Sequence, residues 1–591
     1  MKYVAVPFLI TMSAFGQTSE YVPETPRDQA RSVVATRYGI VATSQTLASA
    51  AGVKILEAGG NAVDAAITAN AVMGLVEPTG NGIGGDLFVL YYDAKSGKLH
   101  GLNASGWAPS GLTPEFLESK GISKKMPEEG IYSVTVPGTV AGWDALHKRF
   151  GRAKWPELFD AAIFYANEGF PLTDLIAQQW VSDRARKLHG MHANGQKLYL
   201  PGGKAPLKGA MFRNPDLAAS LRLIAAEGRA AFYKGTIAKK ILEISQELGG
   251  TFTAGDLAEF EAEWVEPIST EYRGWTVSEI PPNGQGIAAL MMLNMLERYP
   301  LRDWGHNSTR TLHHMVETKK LAYADMLKQV GDPKFSKIPV KQLLSREYAN
   351  ARLELLNEKK ASCLVTPAEL SKIAGLPGSD TIYLSVIDRD GNMVSLIQSN
   401  YLGFGSGVVP PGSGFMMQNR GTMFTLDRNE ANTVAPRKRP LHTIIPGFMS
   451  KGDTRIAFGI MGGWNQAQAH VQFVSNVVDF DMDVQQALEA PRFTKATFEG
   501  CEVSMESRIP EQVRNELGIL GHVISLTGPY TQRVGGGQAV MSNGTGVHFG
   551  GSDPQRRRGS ARKPEVQVGS AEAGPTSACR GSGRCGARFP A

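Results

Sequence analysis

The 591-residue sequence predicts a layered α/β (α+β) fold, a four-layer αββα sandwich in which two sheets lie face to face between helical layers. Three observations carry that expectation. Residues 379–400, SDTIYLSVIDRDGNMVSLIQSN, alternate side chains about Asp390-Gly391, the pattern of a β-hairpin closed by a tight turn. The chain from there to Pro554 alternates short strands with turns, and adds helices over 483–490 and over 510–517, the latter stopped by Gly518. The first half is dominated by apolar residues at 3.6 spacing, the signature of helices packed by one face.

Composition excludes several function classes. The chain is 42% apolar and 20% charged, ordinary for a soluble protein. Its net charge of +6 is carried by the tail, since seven Arg and one Lys against two Glu follow Pro554. Residues 1–554 are therefore neutral overall and offer no basic face for nucleic acid. The four cysteines do not suggest a disulfide scaffold: Cys363 lies in an expected linker, Cys501 in a strand-like run, and Cys579 and Cys585 in the tail. No pair has metal-ligand spacing.

Residues 1–16 read as a secretory signal peptide, with one Lys, an apolar run from Tyr3 to Phe15, and Ala14 and Gly16 at A-x-G spacing. That run is too short to span a bilayer, and a frayed apolar N-terminus is the alternative. A helix is predicted over 44–57, ended by Gly59-Gly60, and a second over 62–75 capped by Asn61 and stopped by Glu77-Pro78. The run GNGIGGD, 80–86, lacks the order of a dinucleotide loop, precedes a strand and has no Walker lysine. Its glycines suit a tight backbone turn beside an active centre. Strands over 87–93 and 99–103 form another hairpin. VPGTVAGWD, from Val136, opens a helix, and further helices are predicted over 216–227, 237–247 and 309–329. In the last, His313 and Glu317 stand one turn apart, half of a metal motif with nothing in the sequence to complete it. Residues 281–286 are a loop with no chemistry assigned, and 332–379 read as a flexible polar linker.

Chemistry concentrates in the 379–400 hairpin. A fold-back centred on residue 390 sets Thr381 opposite Ser399, about 5 Å apart at Cβ, whereas a slip of one residue would present Asn400. A threonine hydroxyl becomes a nucleophile when it is the first residue of a chain and its own α-amino group is the base. That amine has a reference pKa of about 8, suited to proton transfer near neutrality. The bond between Asp380 and Thr381 must then be cut, and the loop AGLPGSD from Ala374 could hold it exposed. An Asp-Thr step alone is an ordinary strand start.

The segment TIYLSVIDRDGNMVS from Thr381, KRPLHTIIP from Lys438 and MGGWNQAQAHVQ from Met461 together resemble the γ-glutamyltransferase (γ-glutamyltranspeptidase) family of N-terminal-nucleophile hydrolases. EAGGNAVDAA from Glu57, EPTGNGIGGD from Glu77 and VPGTVAGWD resemble its large subunit, in the family's order. The resemblance implies an autoprocessed precursor: a large subunit over 30–380, and a small subunit over 381–554 whose N-terminal Thr381 attacks while Ser399 supports the hydroxyl. It implies Gly462-Gly463 as oxyanion donors, although a Gly-Gly turn after a strand needs no chemistry. It implies export to the periplasm or medium, no metal or organic cofactor, and an amide substrate.

Departures from the family concern the acyl group. Where an arginine grips the glutamyl α-carboxylate, this chain has LNASGWAP, with Ser105 in that place and Trp107 nearby. Two substrate-orienting serines are replaced by His442-Thr443. The acidic residue expected after GFMMQNRGTMF is absent, with Met423 near its place; Asn419 and Arg420 lie on this expected strand of substrate contacts. Arg420 could form a replacement carboxylate clamp or be a surface arginine, and His442 could orient substrate or be a satisfied buried histidine. The expected function is cleavage of γ-glutamyl amides such as glutathione through an acyl-enzyme. The alternatives are an amidohydrolase for a non-glutamyl amide, such as oxamate or an acylated β-lactam, and an uncleaved binding protein. The tail 555–591 is too poor in large apolar residues to order itself.

Overall fold

The computed structural model describes residues 30–181, 190, 192–365, 380–554 and 570–572. Its centre is the predicted hairpin. Strands Asp380–Ile387 and Met393–Tyr401 pair antiparallel, with Ile382 facing Gln398 and Ile387 facing Met393, the register expected for a turn at residue 390. The turn has a local cause: the Asp388 carboxylate accepts from the N–H groups of Asp390 and Asn392 and from Asn392 Nδ2, while Gly391 takes φ 85°. Asp388 also accepts from Ala62 N–H at 2.9 Å, which fastens the turn to the start of a helix.

Two seven-stranded antiparallel sheets are built around this hairpin. The first runs Ser570–Glu572, Ile40–Ala42, Asp380–Ile387, Met393–Tyr401, Asp86–Asp93, Lys98–Ala104, Glu263–Val265 in space. The second runs Val34–Thr36, His548–Ser552, Gly537–Ser542, Thr454–Ile460, Gly447–Lys451, Trp275–Glu279, Ile268–Tyr272. The hairpin strands pack on Gly537–Ser542 and Thr454–Ile460 across the interface of the two sheets. Their other face meets the helix Ala62–Val76, and the second sheet is covered by Gly286–Leu296 and Gln466–Val478. Helix, sheet, sheet and helix give the predicted four-layer sandwich.

Both faces of the central strands are thus interior, and every residue of Met393–Tyr401 is buried. Several of their polar side chains are paired accordingly. Tyr383 Oη and Ser395 Oγ lie 2.8 Å apart, and Asn70 Nδ2 donates to Gln398 Oε1 at 2.7 Å. Ala62–Val76 can lie this close because it is mostly Ala, Val and Gly, and Asn61 caps it with a reciprocal bond from Asp64, as its sequence predicts.

Four expectations are corrected. Cys363 and Cys501 form a disulfide with Cα atoms 4.8 Å apart, a pairing hidden by a separation of 138 residues. The expected linker is largely structured: it holds helices Val340–Leu343 and Arg346–Leu353, and Ala361 N–H donates to Leu520 O at 2.7 Å. Only 366–379 of it lie outside the described residues. The GFMMQNRGTMF segment is no strand; it runs as an irregular loop into the 3-10 turn Arg420–Met423. In the tail, Ser570–Glu572 pair with Ile40–Ala42 as an edge strand, whereas the rest of 555–591, and residues 1–16, lie outside the described residues. Among the described residues no helix is long and apolar enough to cross a membrane.

Candidate active site

Thr381 lies at an irregularity of the hairpin ladder, where the register shifts between Asp380, facing Tyr401, and Ile382, facing Gln398. Its hydroxyl donates to Ser399 Oγ at 3.1 Å, as the fold-back predicts. Ser399 also accepts from Tyr401 N–H at 2.8 Å, and both hydroxyls are buried. Tyr401 holds φ 75°, a conformation that costs a non-glycine residue energy and that here turns the chain out of the ladder beside Thr381.

The glycines of GNGIGGD bring a third strand close. A Cβ on Gly84 would lie 2.2 Å from Met416 O, and one on Gly85 2.8 Å from Ser399 O, so only glycine permits this approach. Asp86 then opens the next strand directly opposite Ser399. From the facing sheet, Tyr383 packs on Gly459 and Ser395 Oγ donates to Phe458 O at 3.2 Å, so Thr454–Ile460 runs toward the Thr381 end of the hairpin. It continues into Gly462-Gly463, at φ 125° and 61°, where the chain turns into the helix Gln466–Val478. Gln285 fixes that turn, since its Nε2 donates to Gly463 O at 2.8 Å and to Thr443 O at 2.5 Å.

Two of the residues that depart from the family pattern, His442 and Thr443, join Arg420 and Asp86 in one buried network. Asp86 Oδ1 accepts from Gly106 N–H at 2.9 Å, and Oδ2 lies 3.0 Å from His442 Nε2 and 3.8 Å from Arg420 Nε. His442 Nδ1 accepts from Ile444 N–H at 3.4 Å, so the proton on Nε2 faces Asp86. Arg420 Nη1 donates to Thr443 Oγ1 at 2.8 Å, and the guanidinium stacks over Tyr401 at 4.4 Å. Arg420 is fully buried, which rules out the surface reading, and its Nε and Nη2 have no hydrogen-bond partner among the described residues. Burial pushes the Asp86 carboxyl up to about 7 against the pull of Arg420, the Gly106 N–H and Arg439. Burial and then the Arg420 charge hold His442 well below the usual imidazole range, and burial brings Arg420 down to about 10.

Other predicted residues are committed elsewhere. Ser105 Oγ donates to Asn103 Oδ1 at 2.7 Å and accepts from Asn283 Nδ2 at 3.2 Å. Asn419 spends its amide on Leu402 N–H and Glu128 O. Trp107 donates to Asp256 O at 3.2 Å and packs edge-on against Phe260. Met423 is buried. Asp86, Asn283 and Gln285 are the residues sequence reasoning missed, and the one signal for Asp86 was a charged residue closing a glycine run before an apolar strand.

Away from this centre, His522 joins His313 and Glu317, with His522 Nε2 2.8 Å from His313 Nδ1 and 3.9 Å from Glu317 Oε1. The half-motif does therefore have a third member. Its carboxylate, however, already faces the buried Lys320 ammonium at 2.6 Å, and His313 Nε2 is 2.8 Å from Asn357 O.

Comparison with known proteins agrees with this geometry. The gamma-glutamyltranspeptidase family profile matches residues 48–562. The glutathione hydrolase-like YwrD proenzyme of Bacillus subtilis (strain 168) is 36% identical over 530 residues, covering 89% of this chain and 98% of the relative. The acylase ACY 1 proenzyme of a Pseudomonas species (strain SE83) is 34% identical over 532 residues, covering 87% and 91%. The crystal structure of cephalosporin acylase from Bacillus halodurans superposes with a TM-score of 0.83 at 42% identity, covering 90% of this chain and 98% of that one. The chain therefore belongs to the gamma-glutamyltranspeptidase family of N-terminal-nucleophile amidohydrolases and acyltransferases.

Proposed function

We propose that hydrolysis of the Asp380–Thr381 bond frees Thr381 as an N-terminal nucleophile and divides the precursor into a large and a small subunit. The observation that carries this reading is the buried 3.1 Å bond from the Thr381 hydroxyl to Ser399 at the break in the hairpin ladder. The new α-amine takes the hydroxyl proton as Thr381 Oγ1 attacks the amide carbon. Backbone N–H groups of Gly462 and Gly463 hold the oxyanion. Collapse expels the amine, which leaves with the proton, and water or a second amine discharges the acyl-enzyme.

The acyl group we propose is not γ-glutamyl. Ser105, in place of the glutamate-gripping arginine, has its hydroxyl bonded to Asn103 and Asn283, and the position near Met423 carries no charge. Loss of a charge-assisted bond costs about 2 kcal/mol each, so the glutamyl group would be discriminated against strongly. The relative named acylase supports this direction, beside relatives named for glutathione hydrolysis. Turnover of a γ-glutamyl anilide against oxamate and simple acyl amides tests it, and rapid γ-glutamyl release would overturn it. We also propose that the protein is exported, as the signal-like N-terminus suggests; the Cys363–Cys501 bond supports this, because such bonds persist in oxidising compartments.

A further inference from the structure

We propose that Tyr323 and Gln285, both on the large-subunit side of the proposed cut, are positioning residues that set the direction of the Gly463 N–H. The inference rests on the reading of Gly462-Gly463 as oxyanion donors and names what aims them.

The turn cannot aim itself. Gly462 and Gly463 stand at φ 125° and 61°, and two successive glycines leave the backbone more freedom than any other pair. A donor stabilises a developing oxyanion only if it is aimed before the charge appears, so another group must fix these peptide planes. Two planes relay that constraint. The Tyr323 hydroxyl, on the helix Thr309–Gln329, donates to Trp464 O at 2.5 Å. Trp464 O shares a planar peptide with Asn465 N–H, so holding the one aims the other. Asn465 N–H donates in turn to Gly462 O at 3.0 Å, and Gly462 O shares its plane with Gly463 N–H. The phenol is thus two peptide planes from an oxyanion donor. Gln285 holds the plane between them: its Nε2 donates to Gly463 O at 2.8 Å, and that carbonyl shares its peptide with Trp464 N–H.

Both supports are themselves held. Tyr323 and Gln285 are buried, and Tyr323 Oη lies 3.3 Å from Gln285 Oε1. Burial keeps the phenol protonated far above its usual range, against the pull of the Gln468 and Ala467 backbone, so it stays a donor near neutral pH. Gln285 is anchored by its own N–H, which donates to His442 O at 3.0 Å, and its Nε2 also reaches Thr443 O at 2.5 Å. The loop 281–286, which the sequence left without chemistry, and a large-subunit helix therefore converge on one small-subunit turn. They act through that turn and touch no reacting atom.

Tyr323→Phe, which removes a single oxygen, and Gln285→Met test this on the purified, processed protein with the amide that the wild type turns over fastest. Each is expected to lower kcat about tenfold and to leave KM within about twofold, because the oxyanion exists in the transition state and not in the bound amide. The double variant is expected to lose less than the product of the two single losses, since both residues hold one turn. Circular dichroism confirms folding, and the kinetics are taken well below each variant's thermal midpoint. Wild-type kcat in either variant, a rise in KM alone, or a double loss equal to the product overturns the proposal, whatever happens to stability. Thr381→Ala, assayed alongside, keeps the two readings apart. If it is inactive while Tyr323→Phe and Gln285→Met retain wild-type kcat, only the positioning role falls; if it stays active, the nucleophile reading falls and this inference with it.

Discussion

Ser399 serves two buried donors at once, the hydroxyl of Thr381 and the N–H of Tyr401. Ser399→Ala removes the acceptor these two donors share, at a cost of about 1–3 kcal/mol. If that support persists into the transition state, kcat/KM for an acyl amide falls roughly ten- to hundredfold, at about 1.4 kcal/mol per decade. Steady-state kinetics on the folded variant checks this, and an unchanged value contradicts it. Asp86 makes a second prediction at this scale. Its folded pKa is raised from 3.8 to about 7, so its contribution to stability is present in full below the unfolded value and is lost as pH rises to the folded one. Thermal unfolding followed from acid to neutral pH should therefore show a downward slope in the wild type that Asp86→Asn lessens. Thr381 and Ser399 were legible in the sequence because a hairpin is symmetric about its turn. The Asp86–His442 contact was not, because it joins positions separated by 356 residues.

At the scale of elements, local signals held where one segment supplies its own reason to fold. The Asn61 cap, the Asp390-Gly391 turn and the helix Thr309–Gln329 all lie where periodicity and cap residues place them. They failed where tertiary partners decide. The GFMMQNRGTMF segment has the apolar look of a strand, but Gln418 donates its Nε2 to Thr135 O and its N–H to Gly84 O, so the segment serves as a loop wall of the site. The presumed linker is polar, yet its groups are met: Ser362 N–H and O bond Glu317 and Lys320, and Cys363 O accepts from Gly500 N–H. The Gly462-Gly463 turn yields a further prediction. At φ 125° a side chain is strained, and a Cβ on Gly462 would meet Asn465 Cβ at 3.3 Å. Gly462→Ala should cost on the order of 1–3 kcal/mol in denaturant unfolding and lower kcat by moving the turn's donors. Wild-type stability together with wild-type kcat would show that the turn is indifferent to its glycine.

For the whole molecule, the four layers were legible because strand and helix patterns alternate along the chain. The pairing of Cys363 with Cys501 was not, since only folding brings residue 363 to the start of the strand Glu502–Glu506. That bond spans the proposed cut and would tie the two subunits together covalently. Non-reducing denaturing electrophoresis should then show one species and reducing electrophoresis two, whereas Cys363→Ser should show two under both conditions. Two bands from the unreduced wild type would contradict the covalent tie. The central claim is met most directly by sequencing the N-termini of the reduced, active protein. The account predicts a new terminus reading Thr-Ile-Tyr-Leu, from Thr381, and its loss together with amidase activity in Thr381→Ala. A single uncut polypeptide that still turns over amides would contradict it.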